Sequence, residues 1–188
     1  MILETEKLLL RPFESNDLED LAEYLSQIKV HCFLEMKPKT KGEAIKQLND
    51  RVNSIDYFAV VLKENNKVIG EVFSHEDTED AGSEFEHTFS PCWILNEDYQ
   101  HKGYMFEAVK AYFDYLFKER QARRIYAYTE DYNLASQNLC KKLGMRKEAE
   151  FKEFIHFTND EKGNPIFENT IEFAILSKEW AENKTSEH

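Results

Sequence analysis

A polar loop between an apolar strand and a helix is the part of this sequence best suited to bind an anion. The apolar run ends at Leu95, and a helical pattern begins at Tyr104 after a loop that contains Lys102 and Gly103. The first turn of a helix presents unpaired backbone N–H groups, and its dipole adds partial positive charge. Glycine permits close approach of a ligand. The loop therefore predicts a phosphate or pyrophosphate site, although an ordinary helix that begins with a glycine would have the same pattern.

A second candidate is the helix that follows Asn133. Asparagine is a good N-cap residue, and Ser136 lies one turn later on the same side of the helix. Gly144 is expected to end this helix. Taken alone, the segment is typical of a capped amphipathic helix. Neither candidate has the glycine spacing of a Walker loop or of a dinucleotide-binding fingerprint.

Histidine and acidic side chains between positions 75 and 87 form the third group that could bind a ligand or take part in a reaction. The spacing of His75, Glu76, Asp77 and His87 fits no known metal-ligand motif. The acids of a solvated hairpin loop explain this group better, so no metal is expected.

The chain that positions these residues has a globular composition. Of its 188 residues, 41% are hydrophobic and 32% are charged, and the formal net charge is −12. This length favours one domain, predicted over residues 1–180, with a flexible tail over residues 181–188. An acidic chain lacks the cationic surface that general nucleic-acid binding requires. Because no 18 apolar residues run together, we expect no membrane span.

The cysteines and the first residues predict a cytoplasmic protein. Cys32, Cys92 and Cys140 are odd in number and widely spaced, which favours reduced thiols over a disulfide framework. The first residues show no basic segment followed by an apolar one, as a secretory signal would.

Apolar periodicity predicts strands mixed with helices in the order β-α-α-β-β-β-α-β-α-β-β. The run from Phe85 to Leu95 contains Pro91, which cannot donate to a sheet, so we expect a bulge or local break there. The predicted fold class is α/β (α+β), with a single mixed, mainly antiparallel central sheet of about seven strands and helices on both faces.

The second predicted helix has a recognisable start and an apolar face. It opens at Thr40, and Glu43 supplies the other half of a capping box. Its pattern places Ile45, Leu48 and Val52 on one apolar face.

Two motifs together resemble the GNAT acetyltransferase superfamily. Gln-x-x-Gly-Tyr (residues 100–104) precedes a helix, and after a further strand comes Asn-x-x-Ser (residues 133–136) in a helix that ends in Lys-Leu-Gly. The opening segment over residues 3–12 and the final hairpin resemble the branch of ribosomal-protein N-terminal acetyltransferases. The resemblance extends over nearly the whole chain, to about Trp180.

This resemblance implies the acyl-CoA N-acyltransferase fold and transfer of acetyl from acetyl-CoA to a primary amine, for example a protein or peptide N-terminus. A backbone N–H near Ile94 or Leu95 would receive the charge of the thioester oxygen. Ser136 would return a proton to the departing thiolate. The residues implied in acetyl-CoA binding are Ile94, Leu95, Gln100, Lys102, Gly103, Tyr104, Met105, Asn133 and Ser136.

The resemblance leaves the general base open. Glu86 and His87, upstream of Pro91 on the strand that would hold the thioester, are the leading candidates. Glu71 on the neighbouring strand and Glu153 on the last hairpin are others. Each of these side chains is more often a surface residue than a base.

The acceptor groove of the superfamily usually includes the loop between the first two helices. Here that loop contains Phe33, which would supply an apolar contact, and Glu35, which would offer a carboxylate to a cationic acceptor. The same loop could equally do no more than cover the core.

Three positions depart from the pattern of the family. Met105 stands where the family usually has glycine or alanine, and Phe106 stands where it often has threonine. Cys140 stands where many members carry the tyrosine that protonates the thiolate. A non-catalytic module that binds CoA or a partner is therefore the alternative, and a third possibility is an acetyltransferase for small amines such as an antibiotic or a polyamine. A monomer and a homodimer are both compatible with the sequence.

The charge is unevenly distributed along the chain. Residues 100–147 carry a formal charge of +5, and the remainder carries −17. The basic part is the one predicted to hold the polyphosphate end of CoA, and the acidic remainder could steer a cationic amine.

Overall fold

The computed structural model describes residues 1–76 and 87–185, and strands and helices are mixed along them. The strands are β1 (Leu3–Glu4), β2 (Leu8–Arg11), β3 (Tyr57–Leu62), β4 (Lys67–Glu76), β5 (Thr88–Leu95), β6 (Arg124–Glu130), β7 (Arg146–Asn159) and β8 (Pro165–Leu176). The α-helices are α1 (Leu18–Ser26), α2 (Lys41–Val52), α3 (Tyr104–Lys118), α4 (Leu134–Lys142) and α5 (Ser177–Thr185). No described helix is both long enough and apolar enough to cross a membrane.

The strands form one eight-stranded sheet in the order β1-β2-β3-β4-β5-β6-β8-β7. β5 and β6 are parallel, whereas β1–β2, β2–β3, β3–β4, β6–β8 and β7–β8 are antiparallel. The predicted mixed, mainly antiparallel sheet is therefore confirmed. The additional strand is β1, whose two residues are too few to show a period in the sequence.

The chain divides into two compact units. The first consists of Met1–His75 and Cys92–Tyr115, and the second consists of Glu76–Pro91 and Leu116–His188. Residues 77–86 and 186–188 of the second unit are outside the described part. In the second unit, α5 spans Ser177–Thr185 and thus includes residues 181–185 of the predicted tail.

Helices cover both faces of the sheet in the first unit. Neighbouring residues of a strand point to opposite faces. The guanidinium of Arg51 in α2 lies 5.0 Å from the ring centroid of Tyr57, and the ring of the next residue, Phe58, lies 5.6 Å from that of Tyr112 in α3. Thus α2 and α3 pack on opposite sides of β3.

The N-cap of α2 is as predicted, but the second half of the capping box is not, because the Glu43 carboxylate accepts from the Lys39 N–H at 2.6 Å rather than from Thr40. The Thr40 hydroxyl oxygen accepts a hydrogen bond from the Glu43 N–H at 3.1 Å. Leu48 is buried, whereas Ile45 is 41% exposed and Val52 is 39% exposed, so the predicted apolar face is only partly buried. Arg51 takes the buried position instead.

Pro91 does not interrupt β5, which runs unbroken from Thr88 to Leu95. The pairs that join β5 to β6 are Thr88 with Arg124 and Phe89 with Ile125. The parallel ladder therefore ends before the proline, while the strand itself continues.

Candidate active site

The end of β5 approaches β4 unusually closely at Gly70. A Cβ atom at this position would lie 2.2 Å from the carbonyl oxygen of Ile94 and 3.0 Å from Cα of Leu95. Only glycine fits such a contact with backbone atoms. The β3–β4 register shifts between Val60 and Val61, opposite this point. The backbone of Ile94 and Leu95, which the sequence singled out, thus lies at an irregular part of the sheet.

Asn96 fixes the turn that follows β5. Its side chain is fully buried, and its backbone N–H donates to the Ile69 carbonyl at 2.8 Å. The side-chain amide donates to Glu23 at 2.6 Å, and the side-chain oxygen accepts from the Asp98 N–H at 3.0 Å. A hydrogen bond from Lys67 lowers the pKa of Glu23, with a smaller contribution from Asn96. The turn is therefore tied both to β4 and to α1.

The loop that follows adopts two left-handed backbone conformations before α3. His101 has φ 60° and Gly103 has φ 83°. A Cβ at Gly103 would meet no atom within 4 Å, so the space beside this glycine is open. The Lys102 ammonium donates to the Asp98 carbonyl at 2.8 Å and lies 5.1 Å from the centroid of the Tyr99 ring. Gln100 directly precedes these residues, so residues 100–104 and the open backbone at Gly103 belong to one continuous segment.

Hydrogen bonds from the N-terminal segment hold the first turn of α3, and the Met105 side chain on this turn packs in the core. The Glu107 carboxylate accepts hydrogen bonds from the Thr5 hydroxyl at 2.6 Å and from the Lys7 N–H at 2.7 Å. The Met105 side chain is only 8% exposed and belongs to the core, whereas Tyr104 is half-buried. Because the Met105 side chain packs in the core, it does not occupy the open space beside Gly103.

In the second unit, the start of α4 is built as predicted. The Asn133 side-chain oxygen accepts a hydrogen bond from the Ser136 N–H at 3.2 Å. Gln137 is buried and donates to the carbonyls of Glu130 at 3.3 Å and Asp131 at 2.9 Å. These bonds join α4 to the end of β6 and leave Ser136 half-buried in its first turn.

Cys140 lies in the core rather than at a surface. It has no exposed area, and burial raises the pKa of its thiol to about 12. A thiol with so high a pKa is a poor acid at neutral pH. Cys32 and Cys92 are likewise thiols in the structure.

The candidate bases have very different surroundings. Glu86 lies outside the described residues. His87 directly precedes β5, with φ 59°, and its carbonyl accepts from the Arg123 N–H at 2.8 Å, so it lies before the strand on which it was expected. Glu153 is exposed, has φ 47°, and donates its N–H to the Asn169 side chain at 3.0 Å. None of these observations selects a base.

Glu71 is fully buried and already paired. Its carboxylate accepts hydrogen bonds from Arg51 Nε at 2.5 Å and Nη2 at 2.7 Å, and Arg51 is only 2% exposed. Burial acts to lower the pKa of Arg51, but the hydrogen bonds and charge of Glu71 outweigh it and raise that pKa. Arg51 also donates to the Gln47 side chain at 2.7 Å. Glu71 on β4 is therefore a structural carboxylate, which joins its strand to α2 through Arg51.

The two predicted acceptor-binding residues lie in a short 3-10 helix, His31–Met36. The Phe33 ring lies 6.3 Å from that of Phe73, edge to face, and packs against the core. Phe73 stacks on Tyr57 with the ring centroids 4.5 Å apart. Glu35 is exposed. The structure thus places Phe33 in an aromatic row and leaves Glu35 in solvent.

Part of the basic charge predicted for residues 100–147 is neutralised locally. Arg124 forms ion pairs with Glu148 at 2.6 Å and with Glu172 at 2.8 Å. Arg146 pairs with Glu148 and Glu179, and Lys147 pairs with Glu150 at 2.5 Å. All four partners lie outside the basic segment, so its local field is weaker than the formal charge of +5 indicates.

Sequence reasoning did not single out Gly70, Asn96, Glu130 or Gln137. The first two act through contacts between strands, and no local pattern reveals such contacts. Among the described residues, no group of three or more histidine, cysteine, aspartate or glutamate side chains is placed to hold a metal ion.

The fold and these elements are those of an acetyltransferase. The family model described as "Acetyltransferase (GNAT) domain" matches residues 7–146. Since this match includes most of the chain, the protein belongs to the GNAT acetyltransferase family.

Relatives and solved structures agree with this assignment. The chain is 33% identical over 181 residues to the "uncharacterized N-acetyltransferase YnaD" of Bacillus subtilis (strain 168), covering 96% of this chain and 99% of the relative. The crystal structure of a GNAT-family acetyltransferase from Bacillus anthracis is similar with a TM-score of 0.80 and 31% identity, covering 95% of this chain and 99% of the other. A ribosomal-protein-S5-alanine acetyltransferase from Vibrio fischeri is similar with a TM-score of 0.71 and 25% identity, covering 96% and 98%.

Proposed function

We propose that this protein is an N-acetyltransferase that transfers the acetyl group of acetyl-CoA to a primary amine. The observation that carries the proposal is the open, left-handed backbone at Gly103 directly before α3. A helix start of this kind suits a pyrophosphate group. Met105, the residue that departs from the family pattern, points into the core and so does not crowd the loop.

The chain supplies three elements for the reaction. The segment over residues 100–105, which includes the loop and the first two residues of α3, would bind the pyrophosphate through backbone N–H groups and Lys102. The backbone near Ile94 or Leu95 would stabilise the oxygen of the thioester as the amine attacks its carbonyl carbon. As the C–S bond breaks, Ser136 would protonate the departing thiolate and would regain a proton, through solvent, from the attacking nitrogen. The buried, weakly acidic Cys140 is ill suited to this role.

Titration calorimetry with CoA tests the binding half of the proposal. Gly103→Ala should weaken CoA binding by about 10-fold, because a side chain at positive φ strains the loop and intrudes on the ligand. Gly163→Ala is the matched control: this glycine has φ 84° and equally open surroundings, but lies in the β7–β8 turn. The absence of heat from the native protein at millimolar CoA would reject the cosubstrate, and equal weakening by both variants would reject the loop.

Ser136→Ala tests the catalytic half. If the serine is the general acid, the rate at saturating acetyl-CoA should fall about 10²- to 10⁴-fold while CoA affinity changes little. Release of CoA thiol measures the rate. An unchanged rate in Ser136→Ala together with a large loss in Cys140→Ala would move the role to the cysteine.

We propose a peptide N-terminus as the acceptor, on the basis of the likeness to the ribosomal-protein-S5-alanine acetyltransferase. Parallel panels of N-terminal peptides and small amines would decide between acceptor classes. Turnover with peptides alone supports the proposal, and turnover with small amines alone overturns its acceptor. CoA binding without turnover on either panel would identify a non-catalytic CoA-binding module.

A further inference from the structure

We propose that one sheet face of the second unit binds an organic ammonium ion beside Glu130. This face, here called the ammonium face, consists of Tyr128 and Glu130 on β6 and Phe151 and Phe154 on β7. Glu130 would receive the positive charge, and the aromatic rings would contact the carbon skeleton. The inference names a substrate class for the proposed acetyl transfer and so rests on it.

Glu130 is buried, and its carboxylate has almost no hydrogen-bond partners among the described residues. Its side chain is 5% exposed, and Oε1 is buried without a hydrogen-bond partner among the described residues. Oε2 has only a long contact, 3.5 Å, from the side-chain amide of Asn133. A buried carboxylate oxygen without a partner loses its hydration and gains nothing in return. A ligand that donates hydrogen bonds and carries positive charge would remove that cost.

The strand register places Glu130 on the same face as the aromatic rings. Glu130 is the partner of Thr170 on β8, and Thr170 is the partner of Phe151 on β7. Partnered residues of neighbouring strands project to the same side of a sheet. Glu130 and Phe151 therefore occupy one transverse row, separated only by the short side chain of Thr170.

The aromatic rings form one connected and accessible cluster. The Phe151 and Phe154 centroids are 4.8 Å apart, and Tyr128 lies 6.3 Å from Phe151 and 6.0 Å from Phe154. Tyr128 and Phe154 are each 49% exposed. Aromatic faces beside a carboxylate favour an ammonium group with an attached apolar body, since the rings attract cations and the carboxylate fixes the charge.

The neighbouring charges do not satisfy Glu130. In the next transverse row, Glu172 is paired with Arg124 at 2.8 Å, and Arg124 is also engaged with Glu148. Glu130 has no ion pair within residues 87–185. An anionic or neutral ligand would leave its carboxylate unmatched, so the chemistry of the face selects a cation.

Calorimetric titration with 2-phenylethylamine, protonated at pH 7.5, tests the site directly, with 2-phenylethanol as the uncharged comparison. Binding of the amine should weaken about 10-fold or more in Glu130→Gln, which keeps the shape and removes the charge. It should weaken about 3- to 10-fold in Tyr128→Leu, which removes one ring. Glu161→Gln, an equal change of charge on the exposed β7–β8 turn, should leave the affinity unchanged.

Each outcome is decisive for the ammonium face. Unchanged affinity in Glu130→Gln, or equal binding of amine and alcohol, would overturn it. If Glu130→Gln fails to unfold cooperatively on heating, the exposed Tyr128→Leu substitution decides instead. Thiol release from acetyl-CoA with this amine, measured alongside, separates the two proposals. Ammonium binding without turnover of this amine or of any N-terminal peptide removes only the proposed function. Turnover of this amine with a KM that is unchanged in Glu130→Gln removes only the ammonium face.

Discussion

Replacing the two members of the buried Arg51–Glu71 pair, singly and together, separates a structural role of Glu71 from a catalytic one. Both side chains are at most 2% exposed, and the pair shares two hydrogen bonds of 2.5 and 2.7 Å. Removing one partner leaves an uncompensated charge in the core, which typically costs about 3–5 kcal/mol. We expect Arg51→Met and Glu71→Leu each to lower the free energy of unfolding by that amount.

The double variant should recover most of the loss. With both charges gone, methionine and leucine fill similar volume, and such replacements of buried pairs are often neutral or stabilising. The coupling energy from the double-mutant cycle should therefore be about 3 kcal/mol or more. Equilibrium unfolding in urea, followed by the fluorescence of Trp93 and Trp180, measures all four proteins.

The folded double variant also lacks Glu71, and this makes it a test of catalysis. A general base that is lost reduces turnover by about 10²- to 10⁴-fold. We expect the double variant to stay within about 10-fold of the native kcat, because Glu71 is engaged by Arg51. Single substitutions that cost less than about 1 kcal/mol, or strictly additive losses, would refute the account of the pair. A large loss of kcat in the stable double variant would restore Glu71 as a candidate base.

Two further predictions concern close contacts and burial. Gly70→Ala should lower the free energy of unfolding by about 1–3 kcal/mol and reduce turnover, because its Cβ would meet the Ile94 carbonyl oxygen at 2.2 Å. Gly42→Ala, where the nearest atom is 3.8 Å away, should not destabilise, and a harmless Gly70→Ala in urea unfolding would contradict the close approach. Burial raises the pKa of the Cys140 thiol from an ordinary 9.0 to about 12. Since the folded protein therefore holds this proton more tightly than the unfolded chain, the stabilisation from this difference is complete below pH 9 and is lost as the pH rises from 9 to 12. Over that range the free energy of unfolding should fall by up to about 1.4 kcal/mol per pH unit more steeply than in Cys140→Ala, and parallel curves would contradict the burial.

Local signals in the sequence predicted the starts of α2 and α4 correctly. Thr40 and Asn133 both accept a hydrogen bond from the N–H three residues later. A cap involves only residues within one turn, so it depends little on the rest of the fold. Local signals predicted the buried face of α2 only in part. Arg51 is buried only because Glu71, twenty residues further along the chain, lies opposite it, and hydrophobic periodicity counts an arginine as exposed.

In the candidate site, too, the features that the sequence predicted are local, and those it missed depend on contacts distant in the sequence. The segment over residues 100–105 and the Asn133–Ser136 cap are contiguous motifs, so the sequence could single out both, and the structure confirms the cap through the hydrogen bond from the Ser136 N–H to Asn133. Gly70 and Asn96 matter because β4 and β5 approach each other there, which depends on strand pairing. The base stays undetermined because the choice depends on which carboxylate faces the amine, and the sequence does not contain that orientation.

Two buried glutamates differ in whether the fold supplies a cationic partner for their carboxylates. Glu71 and Glu130 both lie on strands and are both at most 5% exposed. The carboxylate of Glu71 receives two hydrogen bonds from Arg51, so its burial is compensated within the fold. Glu130 receives one long contact from Asn133 and keeps an oxygen without a partner in the described chain. A fold that buries a carboxylate without a cation is less stable than one that pairs it. Of the two, Glu130 is therefore the one whose burial a cationic amine can compensate, because Glu71 has already been matched by the protein itself.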